Sequence, residues 1–456
     1  MLNILNQPEK NLRGLVLSSA PGLYTRKRND KILVIIPNRG SWVIFDSLFR
    51  SFFEKIKKPI LYQDFISNDQ GIPPAMYVAF MESAFKTGIL LLSGKQKAPD
   101  ITSAGADGDK PRLLHIHPQG NTAEEFETFG KFIRNRMKIE KFNNYLIYVK
   151  GNKSPVNDGF VEFAENLIYF AKELNKNIIF SIDVYEPPAE IPAVFSDLPI
   201  TLNYRFIGPE ELYIKRKSKI DFNNILFSLR KTKNSGIQTG VVIDFHHPDE
   251  VMPAMEFFLD EGLSNIALKI SPDVILRDEP ITKSIRKMED FANKYMEMFQ
   301  KLISRIGTDH TRIFLDDINR FINHMTGKYY EHPCGTMPCG MGERIQVLHA
   351  DGTLLACESV TGKSKNSLIM NEDDINCPGE SNMLKYWRGR SMEKLLRCGR
   401  CPWRKFCSAG CPVLTYEKYG DLFHEDPRCR FLQMMFENLI WFLHDNPLVV
   451  NKIGGF

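Results

Sequence analysis

Every cysteine of the chain lies in one stretch near its C-terminal end. Residues 1–333 contain none, and all nine fall between Cys334 and Cys429. Four of them crowd into residues 398–411, which read CGRCPWRKFCSAGC. An odd number of cysteines, with no apolar signal-peptide core in the opening MLNILNQPEKNL, argues against a disulfide framework. The clustering therefore predicts a local metal-binding device, since thiolates ligate both zinc and iron–sulfur clusters.

The region upstream of the cysteines alternates strand-like and helix-like runs. RLLHIH (112–117) and YLIYVK (145–150) are apolar and rich in branched residues, and a helical run with a capping box of Thr122 and Glu125 separates them. Strands that alternate with helices of this length are typical of a parallel α/β sheet or barrel. Five or six such units fit a partial (β/α)6 barrel better than a complete barrel of eight.

A different order of elements precedes this region. Residues 22–94 predict short strands, then helices, then a strand, with Asp46 as a helix N-cap and Gly88 just past a helix end. This order predicts a small α+β, winged-helix-like domain. The polar run 95–110 has the composition of a linker. The predicted divisions are an N-terminal domain 1–94, a linker 95–110, a partial barrel 111–329 and a cysteine-rich domain with a C-terminal helix 330–456.

The spacing of the cysteines resembles a known signature. Twelve residues, a glycine and four residues separate Cys339 from Cys357, and a Cys-x2-Cys-x5-Cys-x3-Cys run follows, then a last cysteine. This pattern is similar to that of SPASM domains, the auxiliary-cluster modules of radical SAM enzymes that modify peptides and proteins. The resemblance implies two [4Fe–4S] clusters, the first held by Cys334, Cys339, Cys357 and Cys411 and the second by Cys398, Cys401, Cys407 and Cys429. Cys377 is left over, and we expect a free thiol there.

If the resemblance holds, the α/β region should be a radical-SAM-like partial barrel, yet its characteristic motif is missing. The loop after RLLHIH should carry Cys-x3-Cys-x2-Cys, and the sequence there reads PQGNTAEEF (118–126), which has no cysteine. YLIYVK should lead into a Gly-Gly-Glu-Pro-like motif, and it leads into GNKSP (151–155). A turn resembling the family's Ser-x-Asp-Gly-Pro keeps only Gly208 and Pro209, followed by two acids. We therefore expect a degenerate member that does not cleave S-adenosylmethionine by the usual route.

Two alternatives stay open for the metal chemistry. Four-thiolate zinc sites also use Cys-x2-Cys pairs, so zinc competes with iron–sulfur clusters for the cysteines. Polar residues also end two barrel strands, which is where barrel active sites form. They are either ordinary polar residues or a replacement metal site for zinc or iron, and they comprise His115, His117, Asp244, His246 and His247.

The net charge, the hydropathy and the resemblance limit the classes of partner that we expect for this chain. A net charge of +4 with nearly balanced acids and bases gives no nucleic-acid-binding surface, and no run is long enough to span a membrane. We expect a cytoplasmic protein. The resemblance implies a precursor peptide and an active radical SAM maturase as partners, with strand addition at the N-terminal domain as one docking mode. An enzyme with repurposed chemistry and a zinc-stabilised interaction protein are the competing functions.

Overall fold

The structure of the chain is a computed structural model. It describes residues 16–67, 74–92, 111–151, 156–186, 188, 191–206, 221–263, 265–270, 281–305, 312–315, 318, 321–322, 339–360, 362–371, 374 and 380–449. The chain divides into two compact units. The first consists of Met1–Ser103, Met325–Gly327 and Leu396–Cys407, and the second of Ala104–His324, Lys328–Leu395 and Ser408–Phe456. The predicted linker 95–110 lies outside the described residues.

In the described residues before 93, the first unit contains two antiparallel three-stranded sheets and three α-helices. Its strands are β1 (Val16–Ser19), β2 (Tyr24–Arg28), β3 (Lys31–Ile36), β4 (Ser41–Asp46), β5 (Ile60–Leu61) and β6 (Leu90–Leu92). Its helices here are α1 (Arg50–Ile56), α2 (Tyr62–Ser67) and α3 (Pro74–Lys86). The sheet orders are β5-β1-β6 and β2-β3-β4. The predicted order of strands, helices and a closing strand is confirmed, except that the short strand β5 between α1 and α2 was not predicted.

Aromatic packing forms the core of this unit. The ring of Phe80 on α3 lies 4.8 Å from that of Phe45 on β4 and 5.1 Å from that of Phe52 on α1. The Asp46 side chain accepts the Leu48 N–H at 2.9 Å and starts the turn that leads into α1, as predicted. Strand β3 is the central strand of its sheet, and it is buried from Ile32 to Ile36.

The second unit is built on a nine-stranded sheet in the order β13-β12-β11-β10-β9-β8-β7-β14-β15. Its strands are β7 (Arg112–His117), β8 (Asn144–Lys150), β9 (Asn177–Val184), β10 (Ile200–Phe206), β11 (Thr239–Phe245), β12 (Asn265–Ile270), β13 (Arg312–Leu315), β14 (Ile345–His349) and β15 (Leu354–Leu355). Neighbours from β7 to β13 are all parallel, β14 pairs parallel to β7, and only the β14–β15 pair among these described strands is antiparallel.

Helices connect these strands. They are α4 (Ala123–Ile139), α5 (Asp158–Glu173), α6 (Phe222–Asn234), α7 (Val251–Asp260) and α8 (Ile281–Arg305). The capping box of Thr122 and Glu125 begins α4, as the sequence predicts. Burial alternates along β8 and β10, so each strand has one buried face and one partly exposed face, and on β10 the partly exposed residues are the polar Thr201, Asn203 and Arg205. The predicted partial barrel of radical-SAM type is the observed fold of this region.

The described part of the cysteine-rich region adds helices to both units. They are α9 (Asn382–Arg388), α10 (Arg404–Cys407), α11 (Pro412–Tyr419) and α12 (Cys429–Asp445). The hairpin predicted at Asp351-Gly352 joins β14 to β15. The predicted C-terminal helix is α12, and it packs on α8 with ring centroids 5.1 Å apart for Phe299 and Phe442. No helix in the described part of the chain is long and apolar enough to cross a bilayer.

Candidate thiol centre and barrel mouth

Three of the predicted first-cluster cysteines lie close enough to influence one another. Cys339 precedes β14, Cys357 follows β15, and Cys411 precedes α11. The Gly342 N–H donates to the Ala356 carbonyl at 2.8 Å and so holds the segments of Cys339 and Cys357 together. Burial, followed by the charges of Cys411 and of Cys339, raises the pKa of Cys357. Three separate segments of the second unit thus bring thiols within electrostatic range of one another.

Backbone amides face each of these sulfurs. The Ser359 N–H donates to Sγ of Cys357 at 3.4 Å. The Met341 N–H favours the charged form of Cys339, and the first amides of α11, at Val413 and Leu414, favour that of Cys411. Amide donors aimed at sulfur are a means by which proteins stabilise and tune an iron–sulfur cluster.

Cationic side chains also surround the thiols. Arg388 and Arg390 act on Cys339, and Arg428 acts on Cys411, each favouring the thiolate. Arg390 is buried and donates to the Leu422 carbonyl at 2.8 Å and to the His424 carbonyl at 2.7 Å, so it also fixes the segment after α11. These guanidinium groups supply positive charge next to an anionic ligand set.

A buried carboxylate positions Cys411. Asp426 accepts the Cys411 N–H at 2.6 Å through Oδ2, and Arg428 pairs with the same oxygen at 3.0 Å. Burial opposes the charge of Asp426, but Arg428 and the backbone donors lower its pKa below the usual range. Asp426 therefore stays ionised and holds the backbone of the proposed ligand.

The donor set fits an iron–sulfur group. Burial, followed by the charge of Cys411, raises the pKa of Cys339 to about 11, and burial raises those of Cys357 and Cys411 as well. A bound cationic centre would replace the thiol protons and end the repulsion between the sulfurs. None of the seven cysteines in the described ranges is in a disulfide. Among the described residues, no group of three or more His, Cys, Asp or Glu could hold a single metal ion.

The predicted second set is placed in different parts of the chain. Cys398, Cys401 and Cys407 belong to the first unit, and Cys429 begins α12 in the second. Within the first unit, the ring of Trp403 packs edge-on against that of Tyr24 on β2, with centroids 6.1 Å apart. Cys334 of the first set and the spare Cys377 lie outside the described residues.

Charged side chains fill the C-terminal ends of the barrel strands, which we call the mouth. Glu358, directly after Cys357, places Oε2 2.7 Å from Nζ of Lys150 and 3.5 Å from Nδ1 of His115. Burial alone would raise the pKa of Glu358, but His115, Lys150 and Lys269 hold it well below its usual range. Glu358 is therefore a carboxylate in the mouth.

A second ionic group lies further along the sheet. Arg205 on β10 donates to Asp183 on β9 at 2.9 Å and to Asp244 on β11 at 2.6 Å. Burial opposes its charge, but the two carboxylates raise its pKa above the usual value. Asp183 also favours the charged form of Lys150, so the two ionic groups act on each other.

The five mouth residues suggested by the sequence do not form one metal site. Asp244 is the partner of Arg205. His247 accepts the Asp249 N–H and caps the turn before α7, and the backbone N–H of His246 donates to Glu250. Asp244 and His247, which the sequence suggested as possible ligands, are thus used in an ion pair and in a helix cap.

The sequence interpretation missed several residues of both sites. Lys150 and His349 each end a strand, so the rule that drew attention to His115 could have found them. Glu358 adjoins a predicted ligand, which was a usable signal. Arg205 and Asp426 gave no local signal, because their role depends on register and on contacts between distant segments.

Comparisons with known proteins agree with this architecture. No protein-family model matches the chain, and no curated protein matches it. Native anSMEcpe with bound AdoMet is similar in structure, with a TM-score of 0.55, 13% identity and coverage of 75% of this chain and 100% of that one. The same protein with AdoMet and the Kp18Cys peptide gives 0.54 at 13% identity, over 75% of this chain and 100% of that one. SuiB of Streptococcus suis bound to S-adenosylmethionine gives 0.46 at 12% identity, covering 91% and 99%.

The structural comparison identifies the class of fold to which the second unit's sheet belongs. The anSMEcpe likeness shows that the chain has a radical-SAM-like fold, and the cysteine-rich C-terminal region is joined to it. Within that fold, Cys357 of the thiol centre is followed directly in the chain by Glu358, which lies in the mouth.

Proposed function

We propose that this chain is a cluster-binding protein of radical-SAM-dependent peptide maturation that does not itself cleave S-adenosylmethionine. It carries two [4Fe–4S] clusters and serves as a partner subunit for a precursor peptide and an active maturase. The observation that carries the proposal is the grouping of Cys339, Cys357 and Cys411, each facing backbone amides and two of them facing guanidinium groups.

The proposed loss of S-adenosylmethionine cleavage rests on the loop after the first barrel strand. This loop, residues 118–121, offers no thiol, and no cysteine precedes residue 334. An open-site cluster there would need three thiolates. Lys150 instead pairs with Oε2 of Glu358 at 2.7 Å, and Nδ1 of His115 lies 3.5 Å from the same oxygen. The mouth therefore holds an internal ion-pair network in place of a thiolate set.

The first unit supports a role in peptide docking. Strand β2 is at one edge of its sheet, and Thr25, Arg26, Lys27 and Arg28 on it are exposed. An extended peptide can add to such an edge through main-chain hydrogen bonds, and the basic side chains favour an acidic one. The likeness to anSMEcpe solved with a peptide is consistent with a peptide partner for this fold.

A bound cluster would supply a cross-link between distant segments and a one-electron relay. The chain's own residues do the rest. Asp426 fixes the Cys411 backbone, the amides of Met341 and Ser359 favour thiolates, and Arg388 and Arg390 offset negative charge.

Anaerobic reconstitution with iron and sulfide tests the cluster assignment. Two clusters predict about eight irons per chain, and Cys357→Ser should remove roughly half of them. Cys377→Ser is the matched control and should keep the full complement. Stoichiometric zinc without charge-transfer absorption would instead support the zinc-stabilised alternative.

Activity and binding assays test the partner role. The reconstituted chain, given S-adenosylmethionine and a strong reductant, should form no 5′-deoxyadenosine; its formation contradicts the proposal. Purified peptide and maturase encoded beside this chain should bind it in calorimetry. Lys27→Glu should weaken binding of an acidic peptide by roughly tenfold or less, as expected of a rim charge, whereas Lys131→Glu on α4 should not.

A further inference from the structure

Two histidines come together in the mouth on neighbouring strands. His117 is the last residue of β7 and His349 the last of β14, and the parallel register pairs them directly. Paired residues of adjacent parallel strands present their side chains on the same face. Their ring centroids lie 4.9 Å apart, and the ring planes meet at 83°.

The outer nitrogens of both rings have no hydrogen-bond partner among the described residues. Nε2 of His117 and Nε2 of His349 are each buried from solvent. Buried polar atoms of native proteins almost always have a partner, so an exception points to an ion, a water or a ligand. Two such exceptions on adjacent rings point to one shared occupant.

Both rings are in the form that binds metals. Burial, followed by the charges of His349 and Lys150, lowers the pKa of His117 to about 4, and burial lowers the pKa of His349 as well. Neutral imidazole is the commonest protein ligand of transition metals. A tetrahedral centre with metal–nitrogen bonds of about 2.0–2.1 Å places two ligating ring centroids roughly 5 Å apart.

We propose that Nε2 of His117 and Nε2 of His349 bind one divalent transition-metal ion of the zinc type. Glu358 and Asp183 supply negative charge at His117, which favours a cation there, and Lys150 opposes them. No third His, Cys, Asp or Glu of the described ranges completes the site. Water or donor groups from outside the described ranges would fill its other coordination positions.

This ion is distinct from the proposed clusters, because it uses imidazole nitrogen rather than thiolate. The site also differs from the five residues that the sequence suggested, of which it keeps only His117. His115 lies outside this pair: its Nδ1 is 3.5 Å from Oε2 of Glu358, and its ring stacks on that of Tyr148 with centroids 4.7 Å apart.

Zinc retention by the reconstituted full-length chain tests the proposal. After anaerobic cluster loading and desalting, the chain is equilibrated with Zn²⁺, dialysed and analysed by mass spectrometry for zinc and iron. We expect about one zinc per chain beyond any in the thiol sites, with imidazole scattering at the zinc absorption edge. His117→Gln or His349→Gln should weaken its retention roughly tenfold or more, with iron content unchanged.

His424→Gln is the matched control, because that exposed histidine packs on Tyr419 outside the mouth and should leave zinc retention unchanged. Equal zinc retention by wild type and the His117→Gln, His349→Gln double variant overturns the proposal. Two results on the wild-type chain alone also overturn the proposal: zinc that is bound without imidazole scattering, and no zinc retained at full iron content. Neither result depends on whether the variants fold.

Discussion

Nζ of Lys150 lies 2.7 Å from Oε2 of Glu358, and this ion pair joins the mouth to the thiol centre. Lys150 ends β8, whereas Glu358 follows Cys357 directly. A movement of the Cys357 backbone on cluster loading would therefore also move the carboxylate that neutralises Lys150. Both side chains are largely buried, so removal of either one would leave the other as an uncompensated buried charge.

Glu358→Gln should destabilise the second unit. The change keeps the shape of the side chain but leaves Lys150 without its closest carboxylate, and an unpaired buried charge costs about 2–4 kcal/mol. Urea unfolding followed by near-ultraviolet circular dichroism should show a lower midpoint. Glu82→Gln breaks the exposed Glu82–Lys86 pair and should cost about 0.5 kcal/mol or less. Equal losses in the two variants would contradict the buried role of the Lys150–Glu358 pair.

Gly410→Ala should disrupt the thiol centre, whereas Gly420→Ala should not. Both glycines have left-handed φ values, +74° and +75°, so alanine is strained at either position by about 1–2 kcal/mol. A Cβ at Gly410 would lie 2.3 Å from Cβ of Asp426, and nothing lies within 4 Å of one at Gly420. We expect Gly410→Ala to displace Asp426 and lower the iron content, and Gly420→Ala to keep full iron. Full iron in Gly410→Ala would show that Asp426 does not position Cys411.

Much of the fold was predictable because local rules determine it. The apolar periodicity of YLIYVK gave β8, and Thr122 with Glu125 gave the start of α4. Asp351-Gly352 gave the β14–β15 turn. These signals are local, so tertiary contacts did not override them.

The polar sites were harder to predict, since they depend on register. Arg205 meets Asp183 and Asp244 because three strands align, and no spacing in the sequence encodes that alignment. Asp244 and His247 were predicted as possible ligands from strand ends alone. The structure uses one as an ion-pair partner and the other as a helix cap.

Cluster loading should release protons from the thiol centre. The pKa values of Cys339, Cys357 and Cys411 are all raised, so the metal-free thiols are protonated at neutral pH. Metal ligation requires thiolates, and we expect wild type to release at least about three more protons per chain than a variant with serine at all three positions. An indicator dye in weak buffer measures the release. Equal release by the two proteins would show that these thiols are not ligands.

The stability of the chain without added metal should fall between about pH 6.5 and about pH 4 because of His117. Its pKa is about 4 in the folded chain, against about 6.5 when unfolded, so in this range the unfolded state binds the additional proton. The free energy of unfolding therefore decreases as the pH falls, by on the order of 2–3 kcal/mol for this group, and the loss is complete below its folded pKa. Because acidic groups also titrate here, the measured quantity is the difference between wild type and His117→Gln in urea unfolding at each pH. The free energy of unfolding of wild type minus that of His117→Gln should decrease as the pH falls through this range. A constant difference for His117→Gln would mean that the imidazole is solvated and charged in the folded chain.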